Sequence, residues 1–443
     1  MREFNVLDYG AIADGITNNA KAIQAAVDAC TEAGGGRVTI PSGQYMSGSI
    51  QLKSNVDLHL EMGAVLISSL KEEDIDDFMT QVDDDNLCTG WEGGCFLGAI
   101  HAENVSLSGD GTIYGQGEKV FYDDGADGGF AESPLCVAAF RPRMILFEDI
   151  QNLSIKDITL KDAAFWTLHM AGCKHVRINN IRILNDVRGA NNDGIDPDCC
   201  QDVVISNCII EAGDDAIVVK ATKPMTARYG VCENIVITGC VLHSHDSAVK
   251  VGTETHGTIR NISFSDCIIR DCSRAASIWV RDGGLIENIN IHHLTGAVRR
   301  YADAPKRRWW GKGEPLFISA TYRNDEKNFP GTIKNIFYDH ICLKSESCIF
   351  LGAEKDCPIE NVQMDHINIT MVKQGTQSEI PFDEQPSRYD VYAHDIPYLY
   401  ARHVKGLRVT ESKICHEGEG FPMWVDKVEL EHCEDAHLDI RHN

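Results

Sequence analysis

Asn234-Ile-Val-Ile, Asn261-Ile-Ser-Phe and Asn288-Ile-Asn-Ile stand 27 residues apart and repeat one phrase: asparagine, then aliphatic, polar and aliphatic residues. The phrase recurs outward in both directions. Before it come Asn104-Val-Ser-Leu, Asn152-Leu-Ser-Ile, His175-Val-Arg-Ile and Asp202-Val-Val-Ile; after it come Asn335-Ile-Phe-Tyr and Asn361-Val-Gln-Met. From Asn152 onward the starts are 23, 27, 32, 27, 27, 47 and 26 residues apart, and the interval of 47 reads as two periods with one phrase blurred. Alternating apolar and polar residues with β-branched enrichment mark short strands, and the Gly, Asn and Asp between them mark turns. One such coil cannot bury its inward side chains alone, so coils must stack at about 4.8 Å into a parallel β-helix.

An open end of such a stack would expose strand edges, and the N-terminal segment supplies a cover. With Thr17 as N-cap, Ile23, Ala26, Val27 and Cys30 fall at i, i+3, i+4 and i+7, and Gly34-Gly35-Gly36 ends the helix. The expectation is an all-β single domain over 1–443: a cap and first coils in 1–60, main coils in 100–370, and final coils with a loop in 371–443. Segments 70–100, 115–135, 298–315 and 372–398 break the repeat and read as long loops around a groove.

Composition narrows the partners. The 443 residues are 43% hydrophobic and carry a formal charge of −25, a field that repels nucleic-acid phosphates and anionic membranes. The first residues hold no apolar run of the secretory kind, and the expected location is cytoplasmic. Seventeen cysteines without a C-x-x-C pair read as free thiols in a reducing compartment, with Cys208, Cys240 and Cys267 stacked in the core.

The chemistry concentrates in Asn191-Asn-Asp-Gly-Ile-Asp-Pro and Gly213-Asp-Asp-Ala-Ile-Val-Val-Lys220. Asp193 and Asp214 lie 21 residues apart, nearly one coil, which brings Asp193, Asp214 and Asp215 together with carboxyls about 5 Å apart. Crowded carboxylates push one another's pKa values apart and yield an acid and a base at one pH, the pair that glycosidic hydrolysis requires. Taken alone, each motif is ordinary turn chemistry; the one-coil separation is what links them. One coil earlier, Phe165-Trp166-Thr-Leu-His169 offers Trp166 and His169 as a sugar platform, with a packed core tryptophan as the alternative.

These residues resemble the polygalacturonases, glycoside hydrolase family 28. The likeness spans nearly the whole chain: Asn5-Val-Leu-Asp-Tyr-Gly-Ala, Asp14-Gly15, Ser47-Gly-Ser-Ile-Gln-Leu-Lys-Ser-Asn55, Arg141-Pro-Arg-Met, Phe165-Trp-Thr-Leu-His, Asn191-Asn-Asp and Gly213-Asp-Asp. It implies a right-handed parallel β-helix and inverting hydrolysis of an oligosaccharide with no metal or other cofactor. Asp214 takes the place of the general acid, with Asp193 and Asp215 activating water and Asn191 beside them.

Two further family motifs are altered. Aligning Gly252 puts Ser247 where the family has a site histidine, leaving His243, His245 and His256 as substitutes and Lys250 beside them. The carboxylate-binding Arg-Ile-Lys becomes Trp279-Val-Arg281, so Arg281 remains as the uronate cation while Trp279 offers a ring to stack on a sugar. Trp309 and Trp310, after Lys306-Arg-Arg, read as a subsite wall or as a solvated loop. The leading expectation is an exo-acting hydrolase of small pectin-derived oligosaccharides. A hydrolase of a neutral or deoxy sugar such as an α-L-rhamnoside, a lyase or epimerase, and a non-catalytic carbohydrate-binding protein stand as alternatives.

Overall fold

Ile155, Ile178, Ile205, Ile237, Phe264, Ile291, Tyr338, Met364 and Val409 form one row, each in parallel register with the next. All are buried. Each aliphatic rung contributes on the order of 1.5–3 kcal/mol by leaving water. The computed structural model describes residues 2–76, 92–123, 135–301, 313–323, 328–374, 394–420 and 422–442. They build one 31-stranded sheet that winds as a right-handed parallel β-helix, and among the described residues the one antiparallel pair joins Phe121–Tyr122 to Cys136–Val137.

The repeated asparagine has its own structural reason. Asn104, Asn152, Asn234, Asn261, Asn288, Asn335 and Asn361 all sit at φ between 54° and 63°, the left-handed region that asparagine tolerates better than most residues. The side-chain amides then hydrogen-bond from coil to coil. Asn261 Nδ2 donates to Asn234 Oδ1 (3.1 Å), Asn288 to Asn261 (3.2 Å), Asn335 to Asn288 (3.1 Å) and Asn361 to Asn335 (2.8 Å). This ladder corrects the reading of the 47-residue interval. Asn288 and Asn335 are neighbouring rungs, and Ile289 pairs with Ile336, so the interval is a single coil carrying an insertion.

The helix Ala20–Glu32 buries Ile23, Ala26, Val27 and Cys30, as the spacing predicts. Its start differs. The Thr17 amide and hydroxyl donate to the Asp14 carboxylate (2.8 and 2.7 Å), so the helix begins later, with Asn19 at the N-cap position. The expected loop 70–100 is shorter too, because Glu92–Ser108 is one strand paired along Arg141–Lys156. Cys208, Cys240 and Cys267 stack as expected; the Cys240 amide donates to Cys267 Sγ at 3.2 Å.

One face of the coil positions the site. Strand Ser247–Thr255 lies between Ile217–Ala221 and Arg274–Val280, and Leu316–Ala320 follows. Val218, Lys250, Ser277 and Phe317 share a row across these strands.

Candidate active site

Ile195 pairs with Ile217, and the Gly194 amide donates to the Asp215 carbonyl (2.9 Å); carried back two residues, this register sets Asp193 opposite Asp215. Asp214 enters from the adjacent turn. Buried Asn192 locks that turn to the coil beneath: its Oδ1 accepts from the amides of Gly213 (2.7 Å) and Asp214 (3.3 Å), and its Nδ2 donates to the Asp186 carbonyl (2.8 Å). A Cβ on Gly213 would lie 2.2 Å from the Gly189 carbonyl oxygen, so no larger residue fits there. The result is three buried carboxylates whose oxygens lie within 4.8 Å of one another.

Two lysines thread this acid cluster. Lys250 Nζ donates to Asp215 Oδ2 at 2.8 Å and lies 3.4 Å from Asp246 Oδ2. Lys220 Nζ lies 3.2 Å from Asp193 Oδ2, 3.3 Å from Asp196 Oδ1 and 3.5 Å from Glu254 Oε2, and 4.1 Å over the Trp166 ring. Burial opposes the charge on each lysine, but the surrounding carboxylates outweigh it and hold both above the ordinary lysine value.

The acids separate in strength. Burial, reinforced by the charges of Asp193, Asp215 and Asp246, pushes Asp214 well above the ordinary carboxylate range. Burial also pushes Asp215 up to about 7, with Lys250 opposing the rise. Asp196 is driven up by burial and by Asp193. For Glu254, burial is outweighed by Lys220, Arg323 and Lys250, and its carboxyl falls to about 2. The site therefore sets Asp214, whose hold on its proton is raised well above the ordinary carboxylate range, beside Asp215, raised to about 7.

Other expected residues fall into place differently. Asn191 belongs to the cluster: its Nδ2 reaches Asp214 Oδ2 at 3.5 Å and its Oδ1 accepts from Arg141 at 3.0 Å. Trp166 is only 1% exposed, with Phe165 stacked on it, Arg143 and Lys220 over its ring and His169 at its edge. It is a packed ring rather than an open platform. His169 is fully buried, lies 3.4 Å from Asp198, and burial pushes it down to about 4, so it is neutral. Trp279, at 0% exposure, packs on Phe317 (centroids 4.5 Å apart) between the guanidiniums of Arg274 and Arg281, which leaves no free face for a sugar. Arg281 is 2% exposed and donates to the Tyr322 carbonyl (3.3 Å).

Among the substitutes for the altered histidine, His243 bonds the Arg270 carbonyl, His245 stacks on Tyr301 at 3.8 Å, and His256 faces Asp282 at 3.8 Å. Ser247, at the aligned position, turns its hydroxyl to Ser277 (2.7 Å), and its amide meets Asp215 Oδ1 (3.3 Å). The group that reaches Asp215 with a charge is Lys250. Trp309 and Trp310 lie outside the described residues. Sequence reasoning missed Lys220, Asp196, Asp246, Glu254 and Arg274. Of these, Asp196 and Lys220 stand inside the quoted acid motifs, and Lys220 carries a signal of its own, an apolar strand ending in a cation.

The model of glycosyl hydrolases family 28 matches residues 30–383. A probable polygalacturonase of Vitis vinifera is 31% identical over 226 residues, covering 49% of this chain and 44% of that protein. An exo-poly-alpha-D-galacturonosidase of Dickeya chrysanthemi is 27% identical over 252 residues, covering 48% and 41%. The chain thus aligns with less than half the length of these curated relatives. In fold, it is similar to the family 28 exopolygalacturonase of Yersinia enterocolitica, with a TM-score of 0.72 at 17% identity over 99% of this chain and 79% of that one. With the family model matched across most of its length and the acids gathered on adjacent coils, the chain belongs to glycosyl hydrolases family 28.

Proposed function

We propose that the protein is an exo-acting, inverting glycoside hydrolase that releases a galacturonate-like sugar from small pectin-derived oligosaccharides. One observation carries the reading: Asp214, buried and with its carboxyl pushed well above the ordinary range, has an oxygen within 4.8 Å of Asp193 and Asp215. Asp214 donates its proton to the leaving glycosidic oxygen. Asp193 and Asp215 hold and deprotonate the attacking water, and Asp215, near its midpoint at neutral pH, is matched to that transfer. Lys250 keeps Asp215 from rising further, and Lys220 fixes Asp193. The names of the Dickeya and Yersinia proteins support a galacturonide and exo action.

Oxygens this close also suit direct attack by a carboxylate, the retaining geometry, so the anomeric outcome is the sharp test. The purified protein is incubated with oligogalacturonides and with rhamnose-terminated pectic oligosaccharides, and products are followed by mass spectrometry and proton NMR. Monosaccharide released from one end with inverted configuration is the expected result. Mixed oligomers overturn exo action, a retained anomer overturns inversion, and exclusive cleavage of rhamnosides overturns the uronide. Asp214→Asn should lose at least about 10²–10⁴-fold in kcat with the fold intact, the size of a general acid's contribution.

We also propose a cytoplasmic location. Free, deeply buried thiols such as Cys200, Cys232 and Cys272 support a reducing compartment, and cell fractionation tests it.

A further inference from the structure

The left-handed turn positions of another edge of the coil carry a second ladder. His293, His340 and His366, at φ of 54°, 48° and 52°, stack on successive coils with centroids 5.1 and 4.4 Å apart. Beside them, Asp339 and Asp365 pair in register within strands Gly331–Ser345 and Ile359–Val372. His340 Nδ1 lies 2.7 Å from Asp339 Oδ1. His366 Nδ1 lies 4.0 Å from that oxygen and 3.2 Å from Asp365 Oδ2. One donor atom each from Asp339, His340 and His366 lies within 4.8 Å of the other two.

The cluster brings two imidazole nitrogens among carboxylate oxygens. His366 Nδ1 faces Asp339 and Asp365 and is sealed from solvent, although the ring as a whole is half-exposed. On the other side of the ring, Nε2 lies 3.1 Å from Glu411 Oε2, a carboxylate that accepts a hydrogen bond from an Nε2–H. Imidazole and carboxylate donors converging on one volume form the donor set of a divalent cation. A tetrahedral zinc with bonds near 2.1 Å separates its donors by about 3.4 Å, and Asp339 Oδ1 lies 2.7 and 4.0 Å from the two histidine nitrogens, on either side of that value. The Glu411 contact is the carboxylate–histidine support that metal-ligating imidazoles commonly have.

We propose that Asp339, His340 and His366 form a surface site for a divalent d-block cation of the zinc class. The ion pins two neighbouring coils, away from the acid cluster. Imidazole with carboxylate suits zinc over calcium or magnesium, which favour all-oxygen shells.

Zn²⁺ alone is titrated into the tag-free, chelator-treated chain at pH 7.5 by calorimetry, alongside thermal melts with and without metal. The expected result is one strong site per chain, with Kd at or below about 10 µM, and a higher Tm with zinc. His366→Ala and His340→Ala, checked for fold by circular dichroism, should each weaken that site at least 100-fold and abolish the Tm rise. Glu411→Gln should weaken it by about 10–100-fold, the usual cost of losing such a support. If either histidine variant fails to fold, Asp339→Asn supplies the same test. Zinc binding unchanged in these variants, adventitious ion binding only, or a doubly protonated His366 with no strong site overturns the proposal.

Discussion

Lys250 Nζ and Asp215 Oδ2 lie 2.8 Å apart across neighbouring coils, brought together because Val218 and Lys250 share a row three residues on from Asp215. The family's histidine position holds Ser247, and it is this lysine that touches the acid with charge. The pair is buried, so the ammonium acts at low dielectric and with little screening.

Removing that charge raises Asp215 above its value near 7. Lys250→Met should therefore move the acidic limb of the kcat/KM profile upward by about 1–3 pH units, the usual effect of one adjacent charge. A profile that falls in height without moving would show that Lys250 does not tune the base.

Asp214 carries the opposite kind of signature in stability. Its folded pKa is raised, so its contribution is complete below the unfolded value near 4 and is lost as pH climbs toward the folded value. Asp214→Asn should match the parent near pH 4 and exceed its Tm by at least about 2 °C at pH 8. Equal melting at both pH values would contradict the raised pKa.

Asn192 holds the acid turn in place from below. Asn192→Ala should lower kcat by about 10²-fold or more with little change in KM, since misplacement by a fraction of an ångström is costly in the reacting geometry. Steady-state kinetics on the preferred substrate, compared with thermal melting, separates this from simple unfolding.

The ladder predicts an inverted glycine effect. At Asn288, φ is 58°, and the side chain bonds two neighbours. Asn288→Ala should cost about 1–2 kcal/mol through backbone strain and lost hydrogen bonds, while Asn288→Gly should cost less because glycine accepts the conformation. Urea midpoints of the two variants give the order.

The repeat was legible because a left-handed turn and an amide ladder both demand asparagine, so the sequence shows the same letter each time the chain turns. The interval between Asn288 and Asn335 was misleading, since spacing alone does not separate two coils from one coil with an insertion. Asp193, Asp214 and Asp215 were readable from short motifs. Their pairing with cations was not, because Lys220 and Lys250 reach Asp193 and Asp215 only through register, 27 and 35 residues away. The tryptophans were harder still. Whether Trp166 and Trp279 face a sugar depends on Arg143, Lys220, Arg274 and Arg281 lying over them, and no local pattern encodes that cover.

The single rung between Asn288 and Asn335 has one more consequence. The amide spine counts turns and is blind to contour length, so a segment of twenty extra residues is spliced between two rungs without altering the pitch on either side. Inserts of other lengths can thus be exchanged between rungs while Asp193, Asp214 and Asp215 stay in step, which frees the rim of the coil to vary independently of the strands beneath it.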